Sequence, residues 1–118
     1  MLAAVKKGDV KELAELIRQD PGFDVNAQDE DGWTFLHFAC CVNSRSAVIP
    51  LLLAHRGIDA NARNKYKQTP FYWACSGSTS CVREMLRDSR VNVNEPNKHG
   101  YTPLWVAAYN GSLDVIKW

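Results

Sequence analysis

The sequence predicts an all-α solenoid of antiparallel helix pairs that stack side by side and are joined by projecting β-hairpin loops. Three kinds of residue recur with the same two intervals, of 35 and then 33 residues. A period of this length is typical of repeat proteins, in which each unit packs only on its neighbours. The recurring residues are Thr34, Thr69 and Thr102, then Ala39, Ala74 and Ala107, and finally Asn26, Asn61 and Asn94.

The composition fits one folded domain of ordinary type. The chain has 118 residues, of which 46% are hydrophobic and 23% charged, which excludes disordered and collagen-like classes. No apolar run approaches the roughly 20 residues that cross a bilayer. Lys6 and Lys7 follow the short apolar start, which is the wrong order for a signal peptide. The net charge of +1 favours neither a nucleic acid nor a membrane as the partner.

The first helix of each predicted unit begins at a threonine. Thr69-Pro70 and Thr102-Pro103 are typical of a helix start, because the hydroxyl accepts from a free amide and proline has no amide to leave unsatisfied. A short apolar helix is predicted to follow in each unit. We expect these helices to end near Asn43, Ser78 and Gly111.

The second helix of each unit is predicted from an apolar stripe at helical spacing. Pro50 lies inside this segment in one unit, where it would delete an amide and clash one turn back. We therefore expect that helix to begin late, with Pro50 in its first turn. Polar, turn-forming segments follow the helices at 24–26, 59–61 and 92–94. The stripe residues are Leu13, Leu16, Ile17, Val48, Leu51, Leu52, Val82, Met85 and Leu86.

Together these features resemble the ankyrin repeat family, whose signature is T-P-L-H-x-A followed by a G-x-D-V-N type loop. Segments 34–39, 69–74 and 102–107 carry the signature, and the resemblance covers essentially the whole chain. It implies a single ankyrin-repeat domain, 1–118. The expected divisions are an N-terminal capping repeat at 1–28, full repeats at 29–63 and 64–95, and a truncated repeat at 96–118.

The signature histidine is kept only as His37, and Tyr72 and Trp105 stand at the equivalent positions. In the family this histidine bonds to the threonine hydroxyl and to neighbouring backbone. We therefore expect two of the three ties to be lost or replaced by packing.

One hairpin tip lacks the glycine of the other two. Gly32 and Gly100 are replaced by Lys67 in the middle repeat. If the three tips have the same shape, the backbone of Lys67 must adopt a positive φ, which is strained for a residue with a side chain.

The sequence gives little support to catalysis. His37 is expected to be structural, His55 closes a helix where a cation suits the helix dipole, and His99 falls on a tip. No nucleophile triad, carboxylate pair or phosphate-binding loop has a credible context. We predict a protein that is not an enzyme and holds no cofactor.

The four cysteines are expected to be reduced and metal-free. Cys40, Cys41, Cys75 and Cys81 contain no C-x-x-C pair. His37 and Cys41, with Cys40 and Cys75 nearby, are the one candidate for a metal site, but structural zinc needs four converging ligands. Unpaired thiols without an export signal favour an intracellular protein, cytoplasmic or nuclear.

The ankyrin resemblance implies recognition of another protein, through the hairpin tips and the concave face of the first helices. Tyrosine and tryptophan often anchor such interfaces, whereas Trp73 and Trp105 are expected to pack internally. The residues that the resemblance assigns to partner binding are Glu30, Asp31, Trp33, Lys65, Tyr66, Gln68, Lys98, His99, Tyr101 and Tyr109.

The charges of the tips predict a gradient along this face. The first tip carries Asp29, Glu30 and Asp31, the second carries Lys65 and Lys67, and the third carries Lys98 with His99. Such a face would select a partner segment with basic residues at one end and acidic residues at the other.

Two functional hypotheses stay open. The first is a protein–protein interaction module with no activity of its own, and the second is a regulatory ankyrin segment of a larger enzyme or channel. The last repeat adds a further expectation, because nothing in the sequence would cover its apolar residues. The chain is then either a fragment of a longer protein or self-associates. These residues are Leu113, Val115, Ile116 and Trp118.

Overall fold

The computed structural model describes residues 1–109, and within them every regular element is a helix, which confirms the predicted all-α class. The first six α-helices form three consecutive pairs, and one pair includes a short 3₁₀ segment, Asn43–Val48. The α-helices are α1 Leu2–Lys7, α2 Val10–Gln19, α3 Phe35–Cys40, α4 Ile49–Leu53, α5 Pro70–Cys75, α6 Thr79–Leu86 and α7 Pro103–Tyr109.

The threonines begin the first helices as predicted. The Thr69 hydroxyl accepts the amide of Tyr72 at 3.1 Å, and the Thr102 hydroxyl accepts that of Trp105 at 3.2 Å. Thr34 caps α3 in the same way. Each hydroxyl satisfies an amide that the first turn leaves without an intrahelical partner.

Pro50 also lies where predicted. The chain runs as a 3₁₀ helix to Val48, and α4 begins at Ile49, so Pro50 is the second residue of the α-helix. At that position a residue donates no intrahelical hydrogen bond, so the missing amide of proline removes none. The buried stripe differs from the prediction in two helices. In α4, Ile49 is fully buried and Leu51 is only half-buried, and in α6 the predicted Leu86 is exposed.

Small residues let the first helices approach closely. Ala39, Ala74 and Ala107 are all fully buried, and α3 packs on α5, which in turn packs on α7. The recurrent alanine is thus a packing requirement of the stack. Leu13, Leu52 and Met85 from the second helices fill the other side of the core.

The tips between the helix pairs are tight turns. In the first, Gly32 donates to the carbonyl of Asp29 and Asp29 donates to that of Trp33, both at 3.0 Å. The tips at 64–68 and 97–101 repeat this pattern. The backbone pairing within each tip is too short to form strands, and residues 1–109 contain no strand. The loops that were predicted to be β-hairpins are therefore tight turns.

Two expectations fall on residues that lie outside the described part. They are the helix end near Gly111 and the apolar set Leu113, Val115, Ile116 and Trp118. Among the described helices, none has both the length and the apolar character needed to cross a membrane.

Candidate functional site

Backbone bonds join the three tips edge to edge. The amide of Lys65 donates to the carbonyl of Asp31 at 2.9 Å, and the amide of Lys98 donates to the carbonyl of Tyr66 at 3.0 Å. The second residue of each tip therefore bonds to the third residue of the tip before it. This ladder fixes the spacing of the side chains that project from the tips.

The first residue of each tip holds its own turn. Asp29 Oδ1 accepts the amides of Asp31 and Trp33, both at 2.9 Å. Asn64 and Asn97 do the same in their tips, with distances of 2.9 to 3.1 Å. Asp29 therefore serves the turn, which explains why this position is Asp in the first tip and Asn in the other two.

The charges of the first two tips meet in an ion pair. Lys65 Nζ lies 2.6 Å from Asp31 Oδ1, and this contact raises the pKa of Lys65. Glu30 is exposed and forms no ion pair with any residue in 1–109. Asp31 and Lys65, both predicted to bind a partner, are thus occupied with each other, which weakens the expected charge gradient at its centre.

Tyr66 occupies the middle of the face. Its ring lies 5.1 Å from Lys65 Nζ and 5.0 Å from Lys98 Nζ, and 39% of the residue is exposed. Both ammonium groups lie close enough to the ring for a cation–π contact. Tyr66 therefore combines an exposed aromatic surface with two neighbouring lysines, of which Lys65 is also paired with Asp31.

Trp33 belongs partly to the core. Its ring lies 4.9 Å from that of Trp73, 5.1 Å from that of Phe38 and 5.6 Å from that of His37. Trp33 is half-buried, and Trp73 packs internally as expected. The indole nitrogen of Trp73 is buried without a hydrogen-bond partner among the described residues.

Three aromatic rings stack at the last described repeat. The rings of Tyr101 and Trp105 lie 4.1 Å apart and 7° from parallel, and those of Trp105 and Tyr109 lie 5.2 Å apart and 11° from parallel. They are exposed to 42%, 44% and 77% in chain order. The expectation that Trp105 packs internally was wrong. The spacing of 105 and 109 places both rings on one side of α7, and Tyr101 ends the tip that leads into this helix.

His37, Tyr72 and Trp105 occupy equivalent positions in successive repeats, but they contact different groups. Nε2 of His37 lies 2.8 Å from the carbonyl oxygen of Gln68, in the next tip. The equivalent Tyr72 hydroxyl accepts Nδ2 of Asn97, also in the next tip, at 3.3 Å. Within residues 1–109 no tip follows α7, and no described group of this kind meets Trp105. We expected Tyr72 to lose the hydrogen bond of the signature histidine or to replace it by packing. The hydrogen bond between Asn97 and Tyr72 shows that this expectation was wrong at Tyr72.

His37 is the satisfied core histidine that the sequence predicted. Nδ1 accepts the amide of Thr34 at 3.1 Å and lies 2.8 Å from its hydroxyl, so the ring proton is on Nε2 and is donated to Gln68. The residue is fully buried, and desolvation lowers its pKa from the ordinary 6.5 against the opposing effects of Gln68 and Asp29.

The remaining residues that were predicted to bind a partner are one half-buried residue in the second tip and two exposed residues on the third tip. Gln68 is half-buried, and its Oε1 accepts Nδ2 of Asn64 at 2.9 Å, so it serves the turn. Lys98 and His99 are exposed on the third tip. The ring of His99 lies 6.3 Å from that of Tyr101, which places it beside the aromatic stack.

The four cysteines are free thiols inside or beside the core. Cys40, Cys75 and Cys81 are buried and Cys41 is half-buried. Burial raises the pKa of Cys41 to about 11 and those of Cys75 and Cys81 to about 12. It also raises the pKa of Cys40 well above its ordinary range. In residues 1–109 no group of three or more potential ligands could hold a metal ion.

A family model described as ankyrin repeats (3 copies) matches this chain over residues 1–95 and again over 45–118. The chain belongs to the ankyrin repeat family. Ankyrin repeats are protein-interaction modules and are typically non-catalytic.

Similar ankyrin segments occur in much longer proteins. Alpha-latrotoxin-Lg1a of Latrodectus geometricus is 33% identical over 92% of this chain and 8% of the toxin. A probable serine/threonine-protein kinase of Dictyostelium discoideum is 30% identical over 98% of the chain and 14% of the kinase. Human transient receptor potential cation channel subfamily A member 1 is 29% identical over 94% of the chain and 10% of the channel. The chain thus spans a small part of each.

Proposed function

We propose that this ankyrin domain binds a segment of another protein across its three tips and the adjoining first helices, without catalysing a reaction. The observation that carries the proposal is the position of Tyr66. Its exposed ring lies at the middle of a bonded ladder of tips, between the ammonium groups of Lys65 and Lys98. A rigid, exposed aromatic residue is the kind that most often anchors a protein interface.

The aromatic stack extends this surface toward the last described repeat. Tyr101, Trp105 and Tyr109 add exposed ring surface beyond the third tip. Stacked rings lose little conformational freedom when a partner covers them, so their burial contributes efficiently to affinity. Trp105 joins the proposed site, although the sequence did not indicate it.

The charges that remain unpaired determine which partner fits. Glu30 lies at one end of the tips, and Lys98 lies at the other end with His99 beside it. We propose a partner segment with basic residues toward Glu30 and acidic residues toward Lys98. Because Asp31 and Lys65 neutralise each other, the centre of the segment is expected to be apolar or aromatic.

Kinetic measurements test this site once the chain has captured a partner. We expect Tyr66→Ala and Tyr101→Ala to speed dissociation, because they remove buried anchor surface. Lys98→Glu should mainly slow association and change its salt dependence. Lys11→Ala, an exposed change on α2, is the control. A partner that binds all three site variants as it binds the control uses another surface.

The relatives favour a second candidate function, regulation within a larger protein. The kinase and the channel each contain a segment similar to this chain that makes up a small share of their length. We propose as the alternative that the same face binds intramolecularly to a catalytic or membrane part of a larger protein. In such a protein Tyr66→Ala would change the basal activity, whereas a pure interaction module would change only partner binding.

Two further parts of the proposal concern setting and assembly. Three buried, unpaired thiols are compatible with an intracellular protein, cytoplasmic or nuclear. Self-association through the last repeat is proposed from the sequence of 112–118. Sedimentation over a range of concentrations tests it, and a strict monomer would contradict it.

A further inference from the structure

The loop that follows each second helix contains a turn that recurs with the period of the repeats. After α6, Oδ1 of Asp88 accepts the amide of Arg90 at 2.9 Å. After α4, Nδ1 of His55 accepts the amide of Gly57 at 3.4 Å, and the loop after α2 has the same turn. A side chain that accepts the amide two residues later closes the turn and leaves the middle residue at its apex. The three apex residues are Pro21, Arg56 and Ser89.

Ser89 presents a free hydroxyl at the apex of the last of these turns. All three apex residues are exposed. This exposure belongs to the turn itself, because Arg56 is exposed although a tip and a helix pair follow it within the described residues. The Ser89 hydroxyl forms no hydrogen bond with a residue in 1–109, and a groove of about 430 Å³ between α4 and α6 opens beside it.

The turn at Ser89 is held against the loop before it. Nδ2 of Asn61 donates to the carbonyl of Arg90 at 2.8 Å. In return, Nη2 of Arg90 donates to the carbonyl of Leu53 at 2.7 Å. These bonds keep the two loops edge to edge, so Arg56 is the apex residue of the turn next to Ser89.

The charge that remains available around this hydroxyl is positive. The groove contains two carboxylates, and both are paired. Oε1 of Glu84 lies 3.4 Å from Nη1 of Arg87, and Oδ2 of Asp88 lies 2.5 Å from Nη2 of Arg90. Arg56 is exposed and forms no ion pair in residues 1–109, and the side chain of Arg87 is 70% exposed. A dianion at the apex would therefore meet one free guanidinium and one that is largely accessible.

We propose that Ser89 is a phosphorylation site whose phosphate pairs with Arg56 of the neighbouring loop and with Arg87. The arginines at 87 and 90, on either side of the serine, form a charge pattern that an arginine-directed serine kinase selects. The Ser89 oxygen attacks the terminal phosphorus of a nucleoside triphosphate. The bond from that phosphorus to the bridging oxygen breaks, the nucleoside diphosphate leaves, and the hydroxyl proton passes to the carboxylate base of the kinase.

The phosphate adds a connection between two successive repeats. A guanidinium–phosphate pair is a charge-assisted hydrogen bond, which is shorter and stronger than a neutral one. Because Arg56 and Ser89 belong to neighbouring loops, their pairing joins these loops in addition to the bonds of Asn61 and Arg90. None of these residues belongs to the tips, so the site is separate from the proposed partner-binding face.

Phosphorylation of the intact 118-residue chain is the first test. The chain is incubated with ATP and the catalytic subunit of an arginine-directed serine kinase, and the product is mapped by mass spectrometry. We expect phosphate on Ser89 and its loss in Ser89→Ala. Ser44→Ala is the matched control, because Ser44 is also exposed and next to an arginine but lies in the 3₁₀ helix, and this variant should be modified like the wild type.

Two outcomes of this test would overturn the proposal. One is that the kinase modifies other serines and leaves Ser89 untouched. The other is that it modifies a peptide of residues 84–94 but not Ser89 in the folded chain, because the turn would then hide the hydroxyl that its exposure makes available.

Phosphorus NMR tests the pairing with arginine. The second pKa of a phosphoserine is about 6, and a neighbouring guanidinium lowers it by favouring the dianion. We expect the pKa of the Ser89 phosphate to lie about 0.5–1 below that of the phosphorylated 84–94 peptide, which lacks Arg56. Arg56→Ala should raise it toward the peptide value, whereas Arg18→Ala, at an exposed arginine on α2, should leave it unchanged. Equal pKa values in the folded chain and the peptide, or no response to Arg56→Ala, would overturn the proposal.

Discussion

The side-chain oxygen of Asn26 accepts the backbone amide of Asp59 at 2.8 Å, 33 residues further along the chain. Nδ2 of the same asparagine donates to the carbonyl of Gly57 at 2.7 Å. Asn61 makes both bonds one repeat later, to the Asn92 amide at 2.6 Å and the Arg90 carbonyl at 2.8 Å. The recurring asparagine therefore ties each loop to the next repeat, which is why it keeps the interval of the threonines and alanines.

Asn26→Ala and Asn61→Ala should each destabilise the fold by about 1–2 kcal/mol, because each leaves one amide and one carbonyl of the next loop without a partner. Asn94→Ala is the control, since the Asn94 side chain makes no such bonds within residues 1–109. We expect it to cost less than about 0.5 kcal/mol. Urea unfolding of the three variants checks the order, and an equal loss in all three would contradict it.

Gly32→Ala should be more damaging than Gly100→Ala. Both glycines have nearly the same φ, 82° and 83°, so the backbone strain of about 1–2 kcal/mol is shared. A Cβ at Gly32 would lie 2.9 Å from Asn64 Cα, whereas at Gly100 no atom of the described residues lies within 4 Å. Forcing two backbones apart adds about 1–3 kcal/mol at Gly32 alone. Equal urea midpoints would show that the tips separate freely.

Lys67→Gly should stabilise the protein. The predicted positive φ of Lys67 is confirmed at 59°, and such strain costs about 1–2 kcal/mol. Glycine removes it but adds unfolded-state entropy of about 0.4–1 kcal/mol. We expect a net gain of a few tenths to about 1 kcal/mol in urea unfolding. Lys67→Ala, which keeps the strain and removes the long side chain, is the control, and a lower midpoint for the glycine variant would contradict the prediction.

His37 should make stability fall as the solution becomes acidic. Burial lowers its pKa below the ordinary 6.5, so the unfolded chain takes up a proton below that pH before the native state does. The contribution of His37 to the free energy of unfolding is therefore complete above pH 6.5. It declines as the pH falls from there toward the native pKa, by at most about 1.4 kcal/mol per pH unit.

The comparison that isolates this effect is His37→Gln. The variant should be less stable at pH 8, because the Gln68 carbonyl in the next tip loses its histidine partner. It should also lack the part of the decline below pH 6.5 that the wild type shows. Parallel pH profiles for the two proteins would mean that His37 titrates as it does in the unfolded chain.

The cysteines should all be reduced, with only Cys41 open to reagents in the native state. We expect four thiols in denaturant without reductant, and a count of two or fewer would contradict this. In the native protein, at most one thiol should react with a disulfide reagent, and slowly, because burial raises the pKa of Cys41 to about 11. Cys41→Ser should remove that reaction, whereas Cys81→Ser, at a buried thiol, should retain it.

Features that depend on a few consecutive residues could be predicted from the sequence. The threonine caps, the late start of α4 with Pro50 in its first turn and the positive φ of Lys67 all follow from local sterics and hydrogen bonding. The all-α repeat architecture followed as well, because its period is carried by residues that recur in every unit.

Relationships across the repeats needed the tertiary structure. The sequence placed Asp31 and Lys65 on the binding face as free charges. The backbone bonds between neighbouring tips bring Lys65 Nζ to 2.6 Å from Asp31 Oδ1. The sequence assigned Trp33 to the surface, but the ring lies 4.9 Å from Trp73, forty positions away. Both outcomes depend on the spacing between neighbouring tips and helices, which side-chain packing sets.

The contrast is clearest at three equivalent positions. The sequence by itself determined that His37, Tyr72 and Trp105 occupy one place in successive repeats, because the period fixes it. Only the tertiary structure decided that the first two bond to the next tip while Trp105 stacks, exposed, on Tyr101. The physical reason is that the groups around this position are distant in sequence, because Gln68 and Asn97, which bond to His37 and Tyr72, belong to the following tips.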